Sequence, residues 1–249
     1  MGRSEELRER LGAVRSRIDA ACTAAGRDPQ QVTLVAVTKF FPAADVEILA
    51  GLGVEHIGES RDQEAGEKVA SLPASVRERL QVHFVGQLQR NKARRVAGYA
   101  DVVHSVDRAR LVSALDAGRA QARADGEVDG PLGVLLQVDL GEGEQAGRGG
   151  VAPADLDALA GAVAEAEQLR LRGVMAIAPL GLDEAGVRSA FDRLAALGER
   201  IRHTAVTGPE QQATWMSAGM SGDLEVAVAA GATHLRVGSA ILGSRPDPR

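Results

Sequence analysis

Residues 214–239 read TWMSAGMSGDLEVAVAAGATHLRVGS. Two short runs, 214–217 and 233–237, hold the β-branched and aromatic residues of strands. Between them, 223–230 has the Leu, Val and Ala of a helix. A strand, a helix and a strand in succession make a parallel β/α unit. Each strand also runs into a loop of Gly and Ser.

The same alternation extends upstream. Strands are expected at 32–38, 54–58, 82–86, 101–105, 132–139 and 171–177. Helices are expected at 42–52, 60–70, 89–97, 107–124, 153–166 and 184–202. With the two C-terminal strands this makes eight parallel units, which fit a closed (β/α)8 barrel. A doubly wound open sheet is the second choice. An extra helix precedes the barrel. Leu7, Leu11, Val14, Ile18 and Cys22 recur at spacings of three and four, Ser4 can cap the helix, and Gly26 and Pro29 end it. No Pro/Gly/Ser linker divides the chain, so one domain over 1–249 is expected.

In a barrel, chemistry sits where the strands end. The first strand closes on Lys39. A neutral lysine amine attacks aldehydes, and burial or nearby cations favour that neutral form. The loops after strands seven and eight carry Ser217, Gly219, Ser221, Gly238 and Ser239. Hydroxyls and glycine-rich backbone amides suit a phosphate, and this architecture often binds one there. Arg236 shares a strand face with Gly238, and if it points inward it needs an anionic or acceptor partner.

Other signals are weaker. The loop 141–147 lacks the GxGxxG spacing, and no Walker lysine follows. His56, His83 and His104 lie on consecutive strands and raise a metal-dependent hydrolase. They lack HxH or HExxH spacing, so packed or hydrogen-bonded rings are expected. Arg90, Lys92, Arg94 and Arg95 crowd one helix start, which suggests either a nucleic-acid or protein adaptor or an ordinary solvated face.

Composition narrows the choice. The net charge is −5, with four Phe, one Trp and one Tyr. That offers neither a basic footprint nor stacking platforms for nucleic acid. One cysteine excludes an internal disulfide or a cysteine-based zinc cage. No apolar run is long enough to span a membrane, and the N-terminus has no secretory pattern, so a cytoplasmic location is expected.

Seven segments, taken in order, resemble the pyridoxal phosphate (PLP) homeostasis protein family, which is related to the barrel domain of alanine racemase. They are VAVTK (35–39), HIGESR (56–61), HFVGQLQRNK (83–92), VHSVD (103–107), RGVMAI (172–177), MSAGMSGD (216–223) and RVGSAILG (236–243). The resemblance implies an aldimine between Lys39 and PLP, with Ser217, Gly238 and Ser239 around the phosphate and Ser60 and Met216 also at the cofactor. It places Arg236 at the pyridine nitrogen. The chain departs from the family in having Ser60 for a usual Asn, Arg148 for a usual Lys and Ser239 for a common Thr.

The expected function is to hold PLP and deliver it to PLP-dependent apo-enzymes, as a monomer or weak dimer. A weak racemase or lyase is the catalytic alternative. Racemisation needs a group on each face of the substrate. Lys39 can serve one face, but Tyr99, the single tyrosine, is placed away from the strand ends. At 249 residues the chain is expected to have no room for a second, tyrosine-bearing domain.

Overall fold

The computed structural model describes residues 2–141, 149–204 and 212–244. The eight strands are β1 (Thr33–Val37), β2 (His56–Glu59), β3 (Gln81–Phe84), β4 (Val102–Val106), β5 (Leu132–Gln137), β6 (Leu169–Met175), β7 (Trp215–Ser217) and β8 (His234–Val237). They close in chain order into a parallel barrel, with β8 pairing β1 through Val35↔Arg236 and Ala36↔Val237.

The helices are α1 (Arg3–Ala24), α2 (Ala43–Gly51), α3 (Asp62–Ser71), α4 (Ala74–Arg77), α5 (Ala93–Ala97), α6 (Ala109–Ala124), α7 (Leu156–Ala164), α8 (Glu184–Thr204), α9 (Leu224–Ala229) and α10 (Ser239–Leu242). Two of these have no counterpart in the sequence reading. Each of α4 and α10 has four residues, too few to show a 3.6-residue period. The helix expected at 89–97 is instead a 3-10 turn, Arg90–Lys92, leading into α5.

Helix α1 buries Leu7, Leu11, Val14, Ile18 and Cys22, as its periodicity predicts. Each buried aliphatic contributes about 1.5–3 kcal/mol, which fixes the helix to the barrel wall. Ser4 does not cap it. The helix starts at Arg3 behind Gly2, because the Arg3 guanidinium is tied to Asp45 (2.6 Å) and to the Leu242 carbonyl (3.2 Å). A tertiary anchor thus replaces the cap.

Strand alternation separates two layers. Ala36, Ile57, Val82, Phe84, Val103, Val134 and Leu136 join the layer between strands and helices. Val102, Leu135 and Met175 form a separate apolar cluster, with Ile177 and Trp215 against it. His56, His83, His104, Ser217 and Arg236 are also in mutual contact, so the barrel interior is polar along one path.

Candidate cofactor site at the ends of the strands

Strand β1 ends at Val37, and Thr38 to Phe41 make a turn closed by the Phe41 N–H on the Thr38 carbonyl (3.1 Å). Lys39 is half-buried in this turn. Phe40 takes φ +73°, a left-handed conformation that costs a bulky residue about 1–2 kcal/mol. Its N–H is held by the Glu64 carboxylate, and Arg61 stacks over its ring at 4.8 Å. Lys39 Nζ lies over the same ring at 5.7 Å.

A buried ion pair supports the turn. Glu59 is fully buried and accepts from Thr38 Oγ1 (2.6 Å) and Lys68 Nζ (2.7 Å). Lys68 Nζ also donates to the Thr38 carbonyl (2.8 Å), immediately before Lys39. Burial raises the Glu59 pKa, and the Lys68 charge opposes that rise. Neither residue was assigned a role from sequence. Glu59 sits inside the HIGESR segment, but Lys68 is a helix residue whose direction only the fold reveals.

Ser60 follows β2 and is half-buried. The backbone of Gly86, after β3, passes so close that a Cβ there would lie 2.5 Å from the Ser60 carbonyl oxygen. Only glycine permits this approach.

Arg236 points into the barrel and is 5% exposed. Its Nη1 donates to Ser217 Oγ (2.6 Å) and its Nη2 to the Ala176 carbonyl (2.9 Å). Both acceptors are neutral. Burial pushes the guanidinium pKa down to about 10, with Asp223 opposing the shift, so Arg236 stays cationic at neutral pH.

Ser217 is fully buried beneath the site, with its hydroxyl bonded to Arg236 and His104. The hydroxyls that meet in the loops above belong to Ser239 and Ser221 (3.2 Å), and the Ala240 N–H approaches Ser221 Oγ at 3.4 Å. The sequence places Ser221 in the same loop as Ser217. The strand's period of two could not tell which serine of MSAGMS turns upward once the strand stops at Ser217. Arg17 of α1 holds the Ser221 carbonyl (3.1 Å), so the extra helix braces this loop.

Met216 is 6% exposed and lies in the layer facing the helices, with its backbone N–H and carbonyl both engaged by Thr233. Gly238 brings β8 against β1, since a Cβ there would lie 3.2 Å from the Val37 carbonyl oxygen. Ser217, Arg236, Gly238, Ser239, Lys39 and Ser60 thus occupy one arc of four adjoining strands, β7, β8, β1 and β2. Arg148 and residues 142–148 lie outside the described residues.

The weaker candidates resolve differently. The three histidines are hydrogen-bonded to one another, and among the described residues no cluster of three metal-ligating side chains is poised to hold an ion. Arg95 and Lys92 pair with Asp62 at 2.8 and 3.8 Å, and Arg94 pairs with Asp125 at 3.8 Å. Most of the basic segment is therefore neutralised. Tyr99 follows α5 and packs in the helix layer near Gly66, away from the strand ends.

The family model for the alanine racemase N-terminal domain matches residues 9–246. The pyridoxal phosphate homeostasis protein of Mycobacterium leprae is 43% identical over 97% of this chain and 93% of its own length. The Escherichia coli K12 protein of the same name is 36% identical, over 96% and 97%. The structure of PipY from Synechococcus elongatus with PLP bound superposes with a TM-score of 0.78 at 34% identity, covering 95% of this chain and all of that one. Alanine racemase from Streptomyces coelicolor shares the fold with a TM-score of 0.65 at 21% identity, and the match covers 58% of that longer chain.

Proposed function

Since the chain belongs to the alanine racemase N-terminal domain family, we propose that it binds PLP and serves PLP homeostasis, holding the cofactor and passing it to apo-enzymes that need it. The observation that carries this reading is the arc from β7 to β2. It sets a primary amine, a pair of loop hydroxyls with a backbone amide, and a cation with neutral partners side by side.

That donor set fits the three functional parts of PLP. When bound, PLP supplies an electrophilic aldehyde and an electron-withdrawing ring. Lys39 supplies the amine that bonds the aldehyde carbon, and the Phe40 turn and the Glu59–Lys68 pair hold Lys39 in place. Ser221, Ser239 and the Ala240 N–H receive the phosphate. Arg236 would face the ring nitrogen as a hydrogen-bond donor. A guanidinium cannot accept a proton there, so the nitrogen stays unprotonated and the ring is a poorer electron sink than one facing a carboxylate. Ser217 fixes the direction of Arg236 rather than touching phosphate. Ser60, half-buried at the end of β2, would supply a hydroxyl on the far side of Lys39 from β8.

Storage suits this arrangement better than vigorous carbanion chemistry. Among the described residues no helix is long and apolar enough to cross a membrane. A cytoplasmic location and a monomer or weak dimer are part of the same proposal. The visible absorption of the purified protein tests the reading. The unaltered chain shows the band of lysine-bound PLP, and Lys39→Ala loses it. A lysine-linked band that persists in Lys39→Ala refutes the assignment. Mixing the loaded protein with a PLP-dependent apo-enzyme tests delivery by recovered activity.

A further inference from the structure

The barrel interior contains three histidines that the cofactor site does not use, in a row that ends on Ser217 and Arg236. His56 Nδ1 meets His83 Nε2 at 3.0 Å. His83 Nδ1 meets His104 Nε2 at 2.7 Å. His104 Nδ1 meets Ser217 Oγ at 2.9 Å, and Ser217 Oγ accepts from Arg236 Nη1 at 2.6 Å. The row climbs the barrel. His56 opens β2, His83 and His104 sit within β3 and β4, and Ser217 closes β7 beside β8. Its lower end is open, because His56 lines a hollow of about 780 Å³ on the opposite face of the barrel, with Gln81, Asp101 and Arg172 in its wall.

We propose that His56, His83, His104 and Ser217 form a proton line between this lower hollow and Arg236. Its use by the cofactor rests on the PLP reading above, but the line itself does not.

One direction of donation satisfies every hydrogen. Arg236 Nη1 donates to Ser217, Ser217 Oγ–H to His104 Nδ1, His104 Nε2–H to His83 Nδ1, and His83 Nε2–H to His56 Nδ1. His56 Nε2–H then faces Gln81 and the hollow. Transfer starts with Arg236 giving its Nη1 proton to Ser217 as Ser217 passes its own to His104, and the neutral guanidine left behind then takes one proton from an acid seated above it. Each group below accepts one proton and passes one on, and His56 releases one into the hollow. Every group gains one bond to hydrogen and loses one. Charge is conserved, and the ring tautomers end reversed.

The surroundings keep the rings neutral, as a relay requires. Burial holds His83 and His104 well below the usual histidine pKa, with neighbouring rings adding to the effect, and Arg236 adds to it at His104. Burial also lowers His56, with Glu55 and Gln81 opposing. His234 lies 6.5 Å from His56 and 6.2 Å from His83 between ring centres, but its Nδ1 is engaged by Thr233 Oγ1 at 2.8 Å. Trp215 lies 6.4 Å from His83 and carries no titrating proton.

Nitrogen NMR of the PLP-free protein, labelled at histidine, tests the line. His83 and His104 should appear as neutral Nε2–H tautomers at pH 7, and the His104 nitrogen shifts should follow the titration of His56. In His83→Phe, or in His83→Gln if the first variant does not fold, His104 should cease to follow. With PLP loaded, the absorption change after a rapid pH jump should slow at least tenfold in the same variant. A His104 signal indifferent to His56 in the unaltered protein overturns the proposal, as does one that follows it equally in the variants. Lys39→Ala should leave these nitrogen signals unchanged, so failure of the cofactor reading and failure of the line are separable.

Discussion

Mild acid should destabilise this protein through its barrel interior. His83 and His104 are fully buried and His234 is 3% exposed. Burial depresses all three, His83 and His104 well below 6.5 and His234 to about 3. Each folded-state value lies below the unfolded one. The stability gained by keeping these rings neutral is therefore whole above pH 6.5 and is lost as pH falls towards the folded values. Below about pH 6 the unfolded chain binds roughly three more protons than the folded one, which costs about 4 kcal/mol per pH unit. A domain typically has only about 5–15 kcal/mol to lose. Urea denaturation at half-unit steps from pH 7 to 5 measures the slope. Carboxylates add their own terms, so the decisive comparison is with His83→Phe, whose slope should be smaller by about 1.4 kcal/mol per pH unit. Stability that stays flat from pH 6.5 to 5, or a slope unmoved by His83→Phe, refutes the reasoning.

Three further outcomes follow from the site. Lys68→Met leaves Glu59 buried without its cation and should cost about 3–5 kcal/mol in urea denaturation, while Lys68→Met with Glu59→Gln recovers much of the loss. Ser217→Ala removes one of the two acceptors of Arg236 and should weaken PLP binding by about 1–3 kcal/mol, read by absorbance titration. Gly86→Ala forces a Cβ against the Ser60 carbonyl and should cost about 1–3 kcal/mol, with a matching fall in PLP affinity as the end of β2 shifts.

The alternation of strand and helix was legible because each strand is a short apolar run bounded by Gly, Pro or a charge, and all eight lie within a few residues of their expected places. The stripe Leu7 to Cys22 was legible for the same reason. What escaped depends on direction rather than period. Ser217 faces into the barrel and Met216 away from it, a distinction set by one residue of register at the end of β7. Lys68 reaches back from α3 to Thr38 across thirty residues of chain, a contact that no local pattern records. The histidines showed no ligand spacing because their partners are one another, on neighbouring strands at successive heights. Lys39 stands out in the sequence because it follows the end of β1 by two residues, where the barrel architecture places its chemistry before any contact is known.

The central claim is that Lys39 is the group that holds PLP. Borohydride reduction of the loaded protein, followed by peptide mass spectrometry, tests it most directly. A pyridoxyl-phosphate adduct on the peptide containing Lys39, and its absence from Lys39→Ala, is the predicted result. An adduct on another lysine such as Lys68 or Lys92, or equal labelling of the variant, contradicts it.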